Sequence, residues 1–142
     1  PRMFGFQAAG AAPLVLGHDV ENPETVATAI RIGKPASGSK ALAARDDSNG
    51  LISSVTDEQI LDAQAFLAAK EGIFVEPASA AGVAGLLALK QSGDLPAGQR
   101  IVITVTGNGL KDIDTALSRT ELSTEAVEPS TDRVAALLGL HR

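Results

Sequence analysis

Six consecutive β-prone residues, 101–106, stop abruptly at Gly107-Asn108-Gly109, and a helical pattern opens at Asp112. No other stretch narrows the possible folds as far. A near-continuous apolar run suits a strand buried on both faces of a parallel sheet. The glycines relax backbone sterics, so the chain can turn sharply and a flat ligand can come close. Ligands of open α/β sheets sit just beyond the carboxyl ends of strands, which is where Thr106 falls. A plain strand–turn–helix connection accounts for the same residues equally well.

The rest of the chain alternates in the same way. Residues 2–8 read as a buried strand, followed by a small-residue loop, Ala9-Gly10-Ala11-Ala12-Pro13. Asn22-Pro23-Glu24 has the chemistry of a helix start, predicting a helix over 24–32 that Gly33 and Pro35 end. A second helix is expected over about 37–46 and a turn at Asp47-Ser48-Asn49-Gly50. Residues 51–55 form a short strand. Thr56 and Gln59 have the spacing of a capping box, opening a helix that runs to Gly72. A brief strand over 73–75 leads to Glu76-Pro77, and Ser79 is the expected cap of a helix over about 80–91. Beyond Leu117 the chain turns polar, and Ser130 precedes a last amphipathic helix over 132–140. Strands alternating with helices indicate an α/β fold with a parallel or mixed sheet.

The chain has 142 residues, one-domain size and long enough to bury a core. Aromatics are only 3%, so the core must be built from Ala, Val, Ile and Leu, and small side chains let helices lie close to a sheet. The net charge is −5 with scattered basic residues, which argues against a phosphate-backbone partner. No apolar run approaches the ~20 residues a bilayer span requires. With no cysteine, disulfides and thiolate chemistry are excluded, and a reducing, cytoplasmic setting is the expectation. Pro1-Arg2 leads straight into a strand, so a fragment of a longer protein is expected.

Most catalytic signatures are missing. His18 and His141 are far apart and share no ligand spacing, so both are expected in solvent and no metal site is expected. There is no G-x-S-x-G elbow and no Walker A motif. Gly107-Asn108-Gly109-Leu110-Lys111-Asp112 begins like a dinucleotide fingerprint but ends in Asp112. Glu76 could be a site carboxylate, but an acid favoured by a helix N-terminus is the simpler account. Arg31 and Lys34, around Gly33, could hold an anion, but cations at a helix C-terminus are ordinary dipole partners.

Four segments taken together resemble the threonine synthases: 3–13 (Met-Phe-Gly-Phe-Gln-Ala-Ala-Gly-Ala-Ala-Pro), 27–33 (Ala-Thr-Ala-Ile-Arg-Ile-Gly), 76–82 (Glu-Pro-Ala-Ser-Ala-Ala-Gly) and 104–112 (Thr-Val-Thr-Gly-Asn-Gly-Leu-Lys-Asp). The resemblance runs from Pro1 to about Leu117. It implies a three-layer αβα, mainly parallel, tryptophan-synthase-β-like fold (fold type II), incomplete in this chain, with pyridoxal 5'-phosphate as cofactor. It also implies conversion of O-phospho-L-homoserine and water to L-threonine and phosphate, and a homodimer is the expected assembly. Residues 1–118 would be the C-terminal part of the cofactor-binding fold, and 119–142 a polar linker and an amphipathic helix packed on it.

The family's hydroxyl residue before the Gly-x-Gly turn, which bonds the cofactor's pyridine nitrogen, matches Thr106. A neutral hydroxyl does not hold the ring as a pyridinium, which makes the ring a milder electron sink. The family's Schiff-base lysine and glycine-rich phosphate loop lie upstream of Pro1. Lys34, Lys40, Lys70, Lys90 and Lys111 do not match the lysine motif, so no catalytic residue is assigned here. The family's Gly-Asn-Pro-Ala-Ser-Trp reads Gly33-Lys34-Pro35-Ala36-Ser37-Gly38, which leaves the contacts of that loop open. Two rival readings stand beside this one. Another fold type II enzyme, such as a threonine or serine dehydratase, would release ammonia rather than phosphate. A non-catalytic half-module would only associate with its other half.

Overall fold

The computed structural model describes residues 1–119 and 126–140. Strands β1 (Phe4–Ala8) and β2 (Leu51–Val55) pair in parallel, with Phe4 opposite Leu51 and Ala8 opposite Val55. A parallel pair needs a crossover connection. Helices α1 (Pro13–Leu16) and α2 (Gly38–Asp47) lie in it and pack against β2.

Helix α3 (Asp57–Phe66) starts as its sequence predicts. Thr56 accepts from the Gln59 N–H while the Gln59 side chain accepts from the Thr56 N–H. The helix widens into a π-helical turn, Leu67–Glu71, and stops at Gly72. Helix α4 (Pro77–Ser92) packs on α3 and on both strands, enclosing a core of Ala8, Val55, Ile60, Ala63, Ala80 and Ala84.

The small residues have the expected consequence. Phe6 lies flat against the α4 backbone at Gly85, so close that a Cβ there would overlap its ring. A Cβ at Gly82 would meet Ile103 at 3.3 Å. Two short helices follow, α5 (Ile113–Leu117) and α6 (Thr131–Leu137). Ser130 caps α6, its Oγ accepting from the Arg133 N–H at 3.3 Å, and the helix ends at Leu137 rather than 140. Residues 120–125 of the polar stretch lie outside the described residues, as does His141.

Three expected elements take other forms. Residues 24–32 are not an α-helix and contain only a 3-10 turn, Thr28–Ile30. Asp57 overrides the local signal: its Oδ1 accepts from the Thr25 hydroxyl and its Oδ2 from the Val26 N–H at 3.0 Å. The Thr25 hydroxyl in turn accepts from the Ala27 N–H at 3.1 Å. Side-chain partners of this kind compete directly with a helical ladder.

Residues 73–75 contribute a single antiparallel bridge, Val75 with Asn108, rather than a strand. Residues 101–106 are irregular, and Val102 is 90% exposed, not buried on both sides. Strand geometry persists only where a neighbour completes its hydrogen bonds, and among the described residues this segment has no such neighbour.

Candidate functional site

Thr106 stands at the head of the Gly107-Asn108-Gly109 turn, and the turn is tied to residues 74–79 rather than to a sheet. The Gly109 N–H donates to the Phe74 carbonyl at 3.1 Å, and the Glu76 N–H donates to the Gly107 carbonyl at 3.0 Å. Asn108 Oδ1 accepts from the Leu110 N–H at 2.9 Å, starting a 3-10 turn, Gly109–Asp112, that leads into α5. Thr106 is exposed while Gly107 beside it is buried.

Ser79 holds the other side. It does not cap α4: the helix begins two residues earlier at Pro77, with Glu76 as its N-cap residue, and Ser79 lies in the first turn. Proline at the first helical position was the better signal for that start. Instead, Ser79 Oγ accepts from the Gly107 N–H at 2.7 Å and the Thr106 N–H at 3.0 Å, and lies 2.9 Å from Thr106 Oγ1. Nothing in the sequence pattern signals this role, because the partners are far apart along the chain.

Glu76 is 7% exposed and makes no capping bond with its side chain. Its Oε2 lies 3.1 Å from Lys111 Nζ, so the carboxylate is an ion-pair partner across the turn. Gly107 rests on that carboxyl group, and any Cβ at 107 would overlap it. The turn therefore needs a residue without a side chain at this point, and the ion pair closes over it.

The basic pair is separated by its partners. With no helix over 24–32, Arg31 has no helix terminus to complement, and its guanidinium donates twice to the Thr25 carbonyl, at 2.6 and 3.0 Å. Lys34 pairs with Asp19 at 3.0 Å on the surface. His18 is exposed, its Nδ1 2.9 Å from the Asp19 carbonyl. Among the described residues no three His, Asp or Glu side chains are grouped to hold a metal ion, and no helix is long and apolar enough to cross a membrane. Two open concavities lie away from Thr106, one along α6 and one between α3, Phe74 and Arg119.

Comparison with known proteins gives these features a setting. A family model described as pyridoxal-phosphate dependent enzyme matches residues 1–107. The chain is 53% identical over 140 residues to a threonine synthase of Synechocystis sp., covering 98% of this chain and 36% of that protein. It is 59% identical over 117 residues to a threonine synthase of Mycobacterium leprae, covering 82% of this chain and 32% of that one. It thus spans about a third of the length of the curated relatives it matches.

Solved structures of a fungal L-serine ammonia-lyase from Rhizomucor miehei and of maize serine racemase each align with a TM-score of 0.62 at 23% identity. The first alignment covers 82% of this chain and 40% of that one, the second 83% and 39%. These likenesses carry the fold alone. The fold is α/β of the tryptophan-synthase-β-like type (fold type II), a three-layer αβα arrangement on a mainly parallel sheet, incomplete in this chain.

Proposed function

The chain belongs to the pyridoxal-phosphate dependent enzyme family, and from that premise we propose that it is the C-terminal part of a threonine synthase. The complete enzyme would convert O-phospho-L-homoserine and water to L-threonine and phosphate. The observation that carries this reading is the 53% identity to a threonine synthase sustained over 98% of the chain. The ammonia-lyase and the racemase that align in structure share only the fold and do not favour deamination.

Pyridoxal phosphate is the family's cofactor, and one feature of this chain suits it. Thr106 offers an exposed neutral hydroxyl on a backbone pinned by Ser79, at the end of a segment that the family model covers. We assign Thr106 to the pyridine nitrogen. The cofactor supplies stabilisation of negative charge at the substrate carbon when bound. Thr106 contributes orientation of the ring and a hydrogen bond that puts no full charge on it. Glu76 is the nearby carboxylate that could have done otherwise, and Lys111 takes it up.

None of the five lysines is assigned the covalent role, which would fall to residues supplied by the rest of the protein, as would the phosphate loop. The division into a cofactor-binding part, 1–118, and a C-terminal linker and helix, 119–142, belongs to the same reading, as do a homodimer and a cytoplasmic location.

The test is phosphate release from O-phosphohomoserine by the complete protein that carries this chain, beside ammonia release from threonine and serine. Phosphate without ammonia is the expected result, and ammonia alone would replace this reading by a dehydratase. The 142-residue chain by itself should release no phosphate. In the complete enzyme Thr106→Val, which keeps the volume and removes the hydroxyl, should lower turnover on the order of ten- to a hundredfold. An unchanged rate and an unchanged cofactor spectrum would remove Thr106 from the site.

A further inference from the structure

The hydrogen bonds at Ser79 fix more than the position of the turn. A serine hydroxyl has two lone pairs and one proton. The Gly107 and Thr106 N–H groups, at 2.7 and 3.0 Å, take both lone pairs of Ser79 Oγ. Only its proton is left to give. Two acceptors are in reach: Thr106 Oγ1 at 2.9 Å and the Gly107 carbonyl at 3.4 Å.

Hydroxyl bonds cluster near ~2.7–2.8 Å, so the first is an ordinary contact and the second a marginal one. The Gly107 carbonyl, moreover, already accepts from the Glu76 N–H at 3.0 Å. The Ser79 proton therefore goes to Thr106 Oγ1. Having accepted that bond, Thr106 must point its own proton elsewhere. Ser79 is buried and Thr106 is exposed, so the open direction is away from α4.

We propose that Ser79 is a positioning residue that sets the polarity of Thr106, making it a donor toward whatever atom binds there and so selecting an unprotonated pyridine nitrogen. This rests on the assignment of Thr106 to that nitrogen. A ring nitrogen with a lone pair takes the Thr106 proton directly. A pyridinium N–H could only compete for the second lone pair of Thr106 and would leave the threonine proton without an acceptor. Donation is also strengthened by acceptance, because hydrogen bonds in a chain polarise one another. Ser79→Ala removes this bias: Thr106 can then donate or accept, and two backbone N–H groups lose their partner.

The experiment uses the complete holoenzyme and its apo form, with pyridoxal phosphate as the probe and two readouts. One is the cofactor dissociation constant, and the other is the nitrogen-15 resonance of ring-labelled cofactor. In Ser79→Ala and in Thr106→Val the dissociation constant should each rise roughly tenfold, the scale of one lost hydrogen bond. The double variant should be no weaker than Thr106→Val alone, because both changes remove one device. Ser79→Thr, which restores a hydroxyl, should stay close to wild type. The wild-type resonance should be that of an unprotonated ring nitrogen, and Ser79→Ala should shift it toward the protonated position.

Wild-type affinity in Ser79→Ala beside a weakened Thr106→Val overturns this inference alone. So does a double variant whose losses multiply to roughly a hundredfold. Wild-type affinity in Thr106→Val overturns the assignment of Thr106 and this inference with it. If Ser79→Ala does not fold, Ser79→Cys, which keeps the size and weakens the donor, is read in its place: a raised dissociation constant with a shifted resonance upholds the proposal, and wild-type values of both overturn it, as does a protonated ring nitrogen in the wild type.

Discussion

Replacing Gly85 by alanine sets two well-characterised effects against each other, and the structure says which wins. In the interior of a helix, Gly→Ala is ordinarily stabilising by about 0.8–1 kcal/mol, because alanine loses less backbone freedom on folding. Gly85 lies within α4, but the space its Cβ would fill is the ring of Phe6 on β1. Neither side yields easily. The α4 backbone is fixed by its packing on α3 and both strands, and Phe6 packs against the core.

Forcing a methyl into a filled core costs about 1–3 kcal/mol and more when a ring must leave its rotamer. Swinging Phe6 outward would forfeit part of the ~1.5–3 kcal/mol that burying such a side chain contributes. A displaced ring puts the cost in the upper part of that range, about 2–3 kcal/mol, so after the propensity gain is subtracted a net loss of about 1–2 kcal/mol remains. At a few degrees per kcal/mol, thermal unfolding followed by circular dichroism should shift down by about 3–8 °C. Combining Gly85→Ala with Phe6→Leu should cost less than the sum of the two changes by about 1 kcal/mol, because the smaller side chain relieves the overlap. A rise in Tm for Gly85→Ala, as at an exposed helical glycine, would refute the close helix–sheet approach on which the reasoning rests.

Other perturbations test the remaining contacts. Thr56→Ala removes the capping box of α3 and should cost about 1 kcal/mol in urea unfolding, with Thr56→Ser close to neutral. Asp57→Ala strips the partners from Thr25 and Val26 and should cost about 1–3 kcal/mol, with faster amide exchange at Val26; unchanged exchange there would show that other contacts hold the 24–32 segment. Lys111→Met leaves the Glu76 carboxylate buried without its counter-ion and should destabilise by about 1–2 kcal/mol, while adding Glu76→Gln should recover part of that loss. A double variant worse than Lys111→Met alone would mean that the pair is not the relevant contact.

Much of the framework was legible because its causes are local. Thr56 and Gln59 specify the start of α3 within four residues, and the segments that form β1 and β2 were readable as strands from their own residues, although β1 is half-exposed rather than buried. What was not legible depends on residues distant in sequence. Nothing around Thr25 reveals that Asp57 will take its hydroxyl and the next N–H. The run 101–106 has strand chemistry, but a strand needs a neighbour, and composition does not say whether one is present. At the candidate site, Thr106 stood out through the glycines that follow it. Ser79 has the residue type of a cap, but Pro77 sets the helix start and leaves the hydroxyl for Thr106 and Gly107.

The ties between residues 74–79 and 106–109 have a mechanical consequence. Thr106 takes its coordinates from α4 and not from the segment that leads up to it. Helix α4 in turn is anchored to both strands, so the hydroxyl is indexed to the sheet through a rigid arm. Within the intervening stretch, residues 93–95 are bonded back onto the end of α4 and Ile103 packs against the core beside Gly82, which leaves the exposed residues 96–100 as the part with least hold on the turn that Ser79, Glu76 and Lys111 keep in place. Conversely, anything that tilts α4 by a fraction of an ångström carries Thr106 with it. A change of length is therefore best tolerated at residues 96–100, and a change of any kind is least tolerated in the first turn of α4.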